Sequence, residues 1–253
     1  MDLLKKWVIV GSGGFVEGSF LPNADLSRIK GLIAHQPLKA LGLCRAYGLK
    51  LYAGLSEAAA DGVDTVYICS ASWTHFDYVR EAVKLGFSTI ISEKPIIVDR
   101  SDFEDFKTLS PSFSGAMIKR AHTGLSVKSD QLLLHVRASS SDGPEVWDRR
   151  RGHYLMSELI HFVDAALFFC GPDADFRVDG DRISGALTFF AADKEATIRY
   201  DFSSLDPVND LEFCPRLIRA MFDRPSEVII PAVDLVRLYE CLFEIEDQFI
   251  GHI

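Results

Sequence analysis

The chain has 253 residues, 48% of them hydrophobic and 25% charged, with a formal net charge of −9 at pH 7. That length can bury a full core, in one large domain or two closely joined ones. The acidic balance argues against a nucleic-acid partner, because neutralising phosphates takes clustered Lys and Arg and the densest basic run is Arg149-Arg150-Arg151. No apolar stretch reaches the roughly 20 residues of a membrane span, and residues 1–6 lack the order of a signal peptide. A cytoplasmic protein without a membrane partner is therefore expected. Five cysteines, odd in number and without metal-ligand spacing, read as buried thiols, with neither disulfides nor a metal site.

The first apolar run, 6–10, reads as a strand that enters the turn Gly11-Ser12-Gly13-Gly14, followed by a helix over 15–21. Ile29 to His35 supplies the next strand. Pro37 suits the first position of a helix through Tyr47, since that position has no use for its missing N–H, and Gly48 closes it. The alternation continues with strands at 49–52, 64–70, 88–91 and 115–118 and helices at 57–61, 75–85 and 102–109. Such a rhythm predicts a Rossmann-type α/β domain with a parallel sheet covered on both faces, over residues 1–120. Beyond Arg120 the pattern changes to a strand at 131–139, a long helix at 154–170, strands at 177–178, 183–191 and 196–202, and an amphipathic helix at 231–250. This predicts an α+β domain over residues 121–253 with a mainly antiparallel sheet, joined to the first at a tight junction that forms a cleft.

Three segments carry candidate chemistry. Gly11-x-Gly13 between strand and helix is a dinucleotide turn: the first glycine permits the bend and the second lets backbone amides approach a pyrophosphate. Val16 stands where that pattern has a small third residue. The second strand ends in His35-Gln36 and offers no carboxylate to an adenosine ribose. With Lys39 one helical turn past His35, the reading is NAD or NADP with a lean to NADP. Glu93-Lys94-Pro95 follows the apolar run Thr89-Ile90-Ile91, which puts an ammonium outside the carboxyl end of a sheet strand, where open α/β sheets bind their ligands. In the 154–170 helix, Ser157, His161 and Asp164 fall on one stripe. His161 could move a proton near neutral pH, with Glu158 or Asp164 fixing its ring.

Taken together, Gly11-Ser12-Gly13, the strand 63–70 with Trp73-Thr74-His75, Glu93-Lys94-Pro95 and the helical run 155–164 resemble the Gfo/Idh/MocA family of NAD(P)-dependent oxidoreductases, as a short member. The resemblance implies cofactor contacts from Gly11, Gly13, Gly14, Phe15, His35, Ser70, Ser72, His75, Glu93 and Lys94. It implies catalysis by Lys94 and His161, and substrate contacts from Lys94, Ser157, Glu158 and His161. Many members carry an aspartate where this chain has Ser157, which leaves His161 as the acid/base. The expected activity is hydride transfer at a secondary alcohol or ketone of a sugar, nucleotide sugar or related polyol. The alternative is a non-catalytic Rossmann protein that binds a nucleotide and regulates or scaffolds a partner. Self-association is expected through the second-domain sheet, on a face bearing Leu187, Phe189, Ala191, Ile198, Tyr200 and Phe202.

Overall fold

A computed structural model describes residues 5–116, 131–138, 154–181, 184–205, 214–223, 229–230 and 232–250. The chain divides into two compact units, Met1–Ala116 with Asp210–Ala232, and Met117–Asn209 with Val233–Ile253. A split at residue 120 does not capture this division, because residues 210–232 return to the first unit.

The first unit is built on a seven-stranded sheet of β1 (Trp7–Val10), β2 (Ile29–Ile33), β3 (Lys50–Tyr52), β4 (Thr65–Ile68), β5 (Thr89–Ser92), β6 (Ser114–Ala116) and, from far along the chain, β11 (Ile229–Ile230). Its order is β11-β6-β5-β4-β1-β2-β3, with β1 to β6 parallel and β11 antiparallel at the edge. Strands β1 and β4 are buried along their whole length, which explains why they read as unbroken apolar runs. The order reverses beside β1, which pairs with β2 on one side and β4 on the other, and ligands of open α/β sheets bind at such a switch point.

Helix ends follow local chemistry. The Pro37–Tyr47 helix starts on its proline and stops at Gly48 (φ 66°), and His75–Leu85 stops at Gly86 (φ 75°). Both glycines take the left-handed conformation that lets the next amides turn back to the last carbonyls. The first helical segment is irregular. A π-helical stretch, Val16–Phe20, runs into Leu21–Asn23, and Pro22, which has no N–H to donate four residues back, sits at this junction. Val16 is fully buried there.

The Cys214–Asp223 helix has no counterpart among the sequence-derived elements. It packs on the first unit through Phe222, whose ring centroid lies 4.7 Å from that of Trp7 and 6.1 Å from that of Phe20. Arg28 stacks over both Trp7 and Phe222 and donates to the Phe222 carbonyl at 3.2 Å.

The second unit holds a four-stranded sheet, β7 (Gln131–Ala138), β10 (Lys194–Leu205), β9 (Ser184–Ala191) and β8 (Asp175–Gly180) in that order, parallel between β7 and β10 and antiparallel elsewhere. The Tyr154–Cys170 helix packs on β7, β9 and β10. Leu187, Phe189, Ile198 and Tyr200 are buried, and the Tyr200 ring stands edge-on to Phe249 of the Ala232–Ile250 helix. These residues therefore belong to the face covered by the unit's own helices, which corrects the expectation that self-association uses their face. Alternation marks two faces of a sheet but does not say which is covered. The opposite face presents Leu133 and Phe190, 55% and 44% exposed, among Thr188, Glu195, Thr197 and Arg199. The side chain of Phe202 lies outside the described residues.

Candidate active site

Four connections leave the carboxyl edge of the parallel sheet side by side, and pairing runs one residue past each central strand. Gly11 N donates to Ile33 O at 2.8 Å, Cys69 N to Val10 O at 2.9 Å and Glu93 N to Ile68 O at 2.7 Å. This brings the glycine turn after β1, His35 after β2, the 69–74 turn after β4 and Glu93-Lys94 after β5 to one edge.

The glycines of the first turn serve different ends. Gly11 has φ 137°, and a Cβ there would lie 2.6 Å from the Cys69 carbonyl oxygen, so fold geometry demands glycine at this position. Gly13 and Gly14 are exposed, and a Cβ on either would meet nothing of this chain within 4 Å. Their backbone is bare towards solvent at the start of a helix, where Glu17 N already bonds to Gly13 O. A pyrophosphate fits this surface, since backbone amides can approach it without obstruction. Phe15 is half-buried against Phe20, at a centroid distance of 6.3 Å. His35 is exposed, and Lys39 forms an ion pair with Glu17 at 2.9 Å.

The turn after β4 is held from within. Ser70 Oγ and Thr74 Oγ1 are 2.7 Å apart, and both the Thr74 hydroxyl and its amide donate to Ala71 O. His75 was expected to contact the cofactor, but only 2% of it is exposed. Its ring lies with Nδ1 2.8 Å from Pro95 O and Nε2 3.0 Å from Ser70 O. The imidazole therefore ties the β4 turn to the loop that carries Lys94. Burial pushes its pKa below the usual histidine value, against the pull of these carbonyls. Ser72 begins a short 3₁₀ turn on which Trp73 stands 55% exposed.

Glu93 and Lys94 follow β5 directly. The fully buried Tyr67 donates its hydroxyl to the Glu93 carboxylate while its ring stacks on Phe20 at 4.8 Å. The chain thus links the helix after the glycine turn to the residue beside Lys94. Sequence reasoning passed over Tyr67, yet a tyrosine in an otherwise aliphatic central strand needs a partner for its hydroxyl, and that signal was available. Burial pushes the Glu93 carboxyl above the usual range, partly offset by the Tyr67 hydrogen bond and by Lys94. A raised folded-state pKa stabilises the protein below the unfolded value and is lost as pH rises through the folded one. Glu93→Gln should therefore melt higher than the parent at neutral pH, with the gap closing towards about pH 4. Thermal melts across pH check this, and a gap that widened in acid would contradict it.

In the second unit, His161 and Asp164 are 5% and 2% exposed on the Tyr154–Cys170 helix, so both are buried polar side chains. Asp164 borders a pocket of 180 Å³ with Leu167, Phe168, Pro172, Asp234 and Arg237. The side chains of Ser157 and Glu158 lie outside the described residues. Among the described residues, no group of three His, Cys, Asp or Glu is placed to hold a metal, and no helix is long and apolar enough to cross a membrane.

Residues 5–113 match the model of an oxidoreductase family, Gfo/Idh/MocA, described by its NAD-binding Rossmann fold. Solved structures of similar fold include a dehydrogenase (MviM) from Clostridium difficile, with a TM-score of 0.73 at 14% identity over 96% of this chain and 99% of that one. Another is the UDP-N-acetylglucosamine 3-dehydrogenase GnnA from Acidithiobacillus ferrooxidans, at 0.72 and 14% over 95% and 96%. A third is the 3-ketoreductase KijD10 from Actinomadura kijaniata with NADP and TDP-benzene, at 0.71 and 13% over 96% and 97%. Identity this low carries the likeness of fold alone.

Proposed function

We propose that the protein, whose residues 5–113 match the Gfo/Idh/MocA oxidoreductase family with its NAD-binding Rossmann fold, is an NAD(P)-dependent oxidoreductase acting at a secondary alcohol or ketone of a sugar, nucleotide sugar or related polyol. One observation carries this reading: Lys94 leaves β5 on the same sheet edge as the bare Gly13-Gly14 backbone, with the β4 turn between them. The similar folds of a UDP-N-acetylglucosamine 3-dehydrogenase and a 3-ketoreductase support the substrate class.

When bound, the dinucleotide supplies or accepts the hydride. The Gly11-Gly14 turn with Phe15 receives its pyrophosphate, His35 borders the adenosine, and Ser70, Ser72, Glu93 and Lys94 border the nicotinamide. Lys94 holds the substrate oxygen and stabilises the negative charge that develops on it. Glu93, fixed by Tyr67, steadies the backbone of Lys94, whose amide lies 3.4 Å from Glu93 Oε2. His161 gives or takes the proton of the reacting oxygen. Screening nucleotide sugars and polyols by nicotinamide absorbance tests the activity. No turnover in a panel that includes keto forms, by protein that binds the dinucleotide, would favour the regulatory alternative.

Two finer expectations follow. The second strand ends without an acid, so NADPH should bind at least as tightly as NADH, and Lys39→Ala should weaken NADPH about threefold to tenfold. Side-by-side titrations check this, and a clear preference for NADH would refute it. The protein should also self-associate through the sheet face that carries Leu133 and Phe190. Light scattering should give more than the monomer mass of 28.2 kDa at micromolar concentration, and a monomer there would contradict it.

A further inference from the structure

Glu17 and Lys39 leave neighbouring strands. The glycine turn that precedes Glu17 follows β1, and Lys39 stands in the first turn of the helix after β2. Val10 and Ile33, the last residues of these strands, are partners in register. The ion pair between Glu17 Oε2 and Lys39 Nζ, 2.9 Å long, therefore spans the gap between the two connections. On the reading proposed above, a dinucleotide with its pyrophosphate on the Gly13-Gly14 backbone would have its adenosine ribose near that gap, on the side of His35. Both partners are accessible, with side-chain exposures of 53% for Glu17 and 39% for Lys39.

Resting on the dinucleotide reading above, we propose that Glu17 sets the choice between the two nicotinamide cofactors by competing with the ribose 2′-phosphate for Lys39. Choice is usually made by a residue just past the end of the second strand, and here His35, two residues beyond Ile33, carries no fixed negative charge. The decision passes to the ion pair. An exposed pair of this kind is weak, so a 2′-phosphate, with more negative charge than a carboxylate, can draw Lys39 away. It must do so against Glu17, which holds the ammonium in the free protein and repels the phosphate when displaced. With a ribose 2′-hydroxyl there is no competition, and the pair stays closed. Such an arrangement admits both cofactors and moderates the advantage of NADPH.

The test uses the full chain, titrated with NADPH and NADH by nicotinamide fluorescence in four proteins: the parent, Glu17→Gln, Lys39→Gln and the double variant. Glu17→Gln should raise the NADPH-to-NADH affinity ratio about two- to fivefold, the yield of releasing a pair worth up to about 1 kcal/mol. The same change made in the Lys39→Gln protein should leave the ratio nearly unmoved, because the lysine being released is gone. The increase should shrink as salt is raised from about 0.05 to 0.5 M, since both partners face solvent. A ratio unchanged by Glu17→Gln, or one that rises equally with and without Lys39, would overturn the proposal while leaving the dinucleotide reading intact. Failure of the parent to bind either nucleotide would overturn both.

Discussion

Lys94→Ala should lower turnover by about 10²–10³-fold, because an ammonium fixed beside the reacting oxygen is replaced by solvent that must reorganise during the reaction. His161→Ala should lower it by about 10²–10⁴-fold through loss of proton transfer. If the two serve the same oxygen, the double variant should lose much less than the product of the single losses, because residues acting as a unit cannot each be lost in full. Lys94 is fixed by its place directly after β5 and by the Tyr67–Glu93 contact, so the single change should leave the protein folded. Steady-state kinetics on a substrate found by screening would measure all three. Near-normal turnover in either folded single variant would refute the pair and raise the standing of a regulatory nucleotide-binding protein.

The second large effect separates two glycines two residues apart. Gly11→Ala should destabilise the protein by about 3–5 kcal/mol, since its Cβ would press on the Cys69 carbonyl at 2.6 Å in a backbone conformation that L-residues rarely adopt. That is a large part of the roughly 5–15 kcal/mol that keeps a domain folded. Gly13→Val should fold with little penalty, because a Cβ there meets nothing of the chain within 4 Å, yet its side chain would fill the space a pyrophosphate needs. Its affinity for NADH and NADPH should fall at least tenfold. Thermal melts and fluorescence titrations distinguish the two outcomes. A folded Gly13→Val protein with unchanged affinity would remove the glycine turn from the binding site.

The elements that could be read from the sequence are those whose ends are set by local chemistry. Pro37 and Gly48 bound one helix and Gly86 ends another, and both match the structure. The second strand was extended through His35, whereas it stops at Ile33, because nothing in an apolar run marks where it leaves the sheet. The return of residues 210–232 to the first unit was hidden for a different reason. β11 is only two residues long, and its pairing of Ile229 and Ile230 with Ala116 and Gly115 joins positions more than a hundred apart. Periodicity within a window carries no such information. The helix before it did leave a trace, since Ile218, Met221 and Phe222 recur at helical spacing and are buried, although prolines stand at 207, 215 and 225.

The site divides along the same line. Gly11, Gly13, His35, Ser70 and Lys94 all follow strand ends, and strand ends are readable, so their gathering at one sheet edge was foreseeable. Orientation was not. A histidine that opens a helix near the cofactor edge looks like a ligand contact in one dimension, and only the fold turns the His75 ring onto the Ser70 and Pro95 carbonyls. The Glu17–Lys39 pair joins two helices that follow separate strands, so no spacing rule within one helix could reveal it.

A crystal structure of the protein grown with NADPH addresses these assignments most directly. The pyrophosphate should lie over the Gly13-Gly14 backbone, the adenosine ribose beside His35, and the nicotinamide at the Ser70–Lys94 edge with Lys94 Nζ turned towards its reactive face. Nucleotide seated elsewhere, or a nicotinamide remote from Lys94, would contradict them.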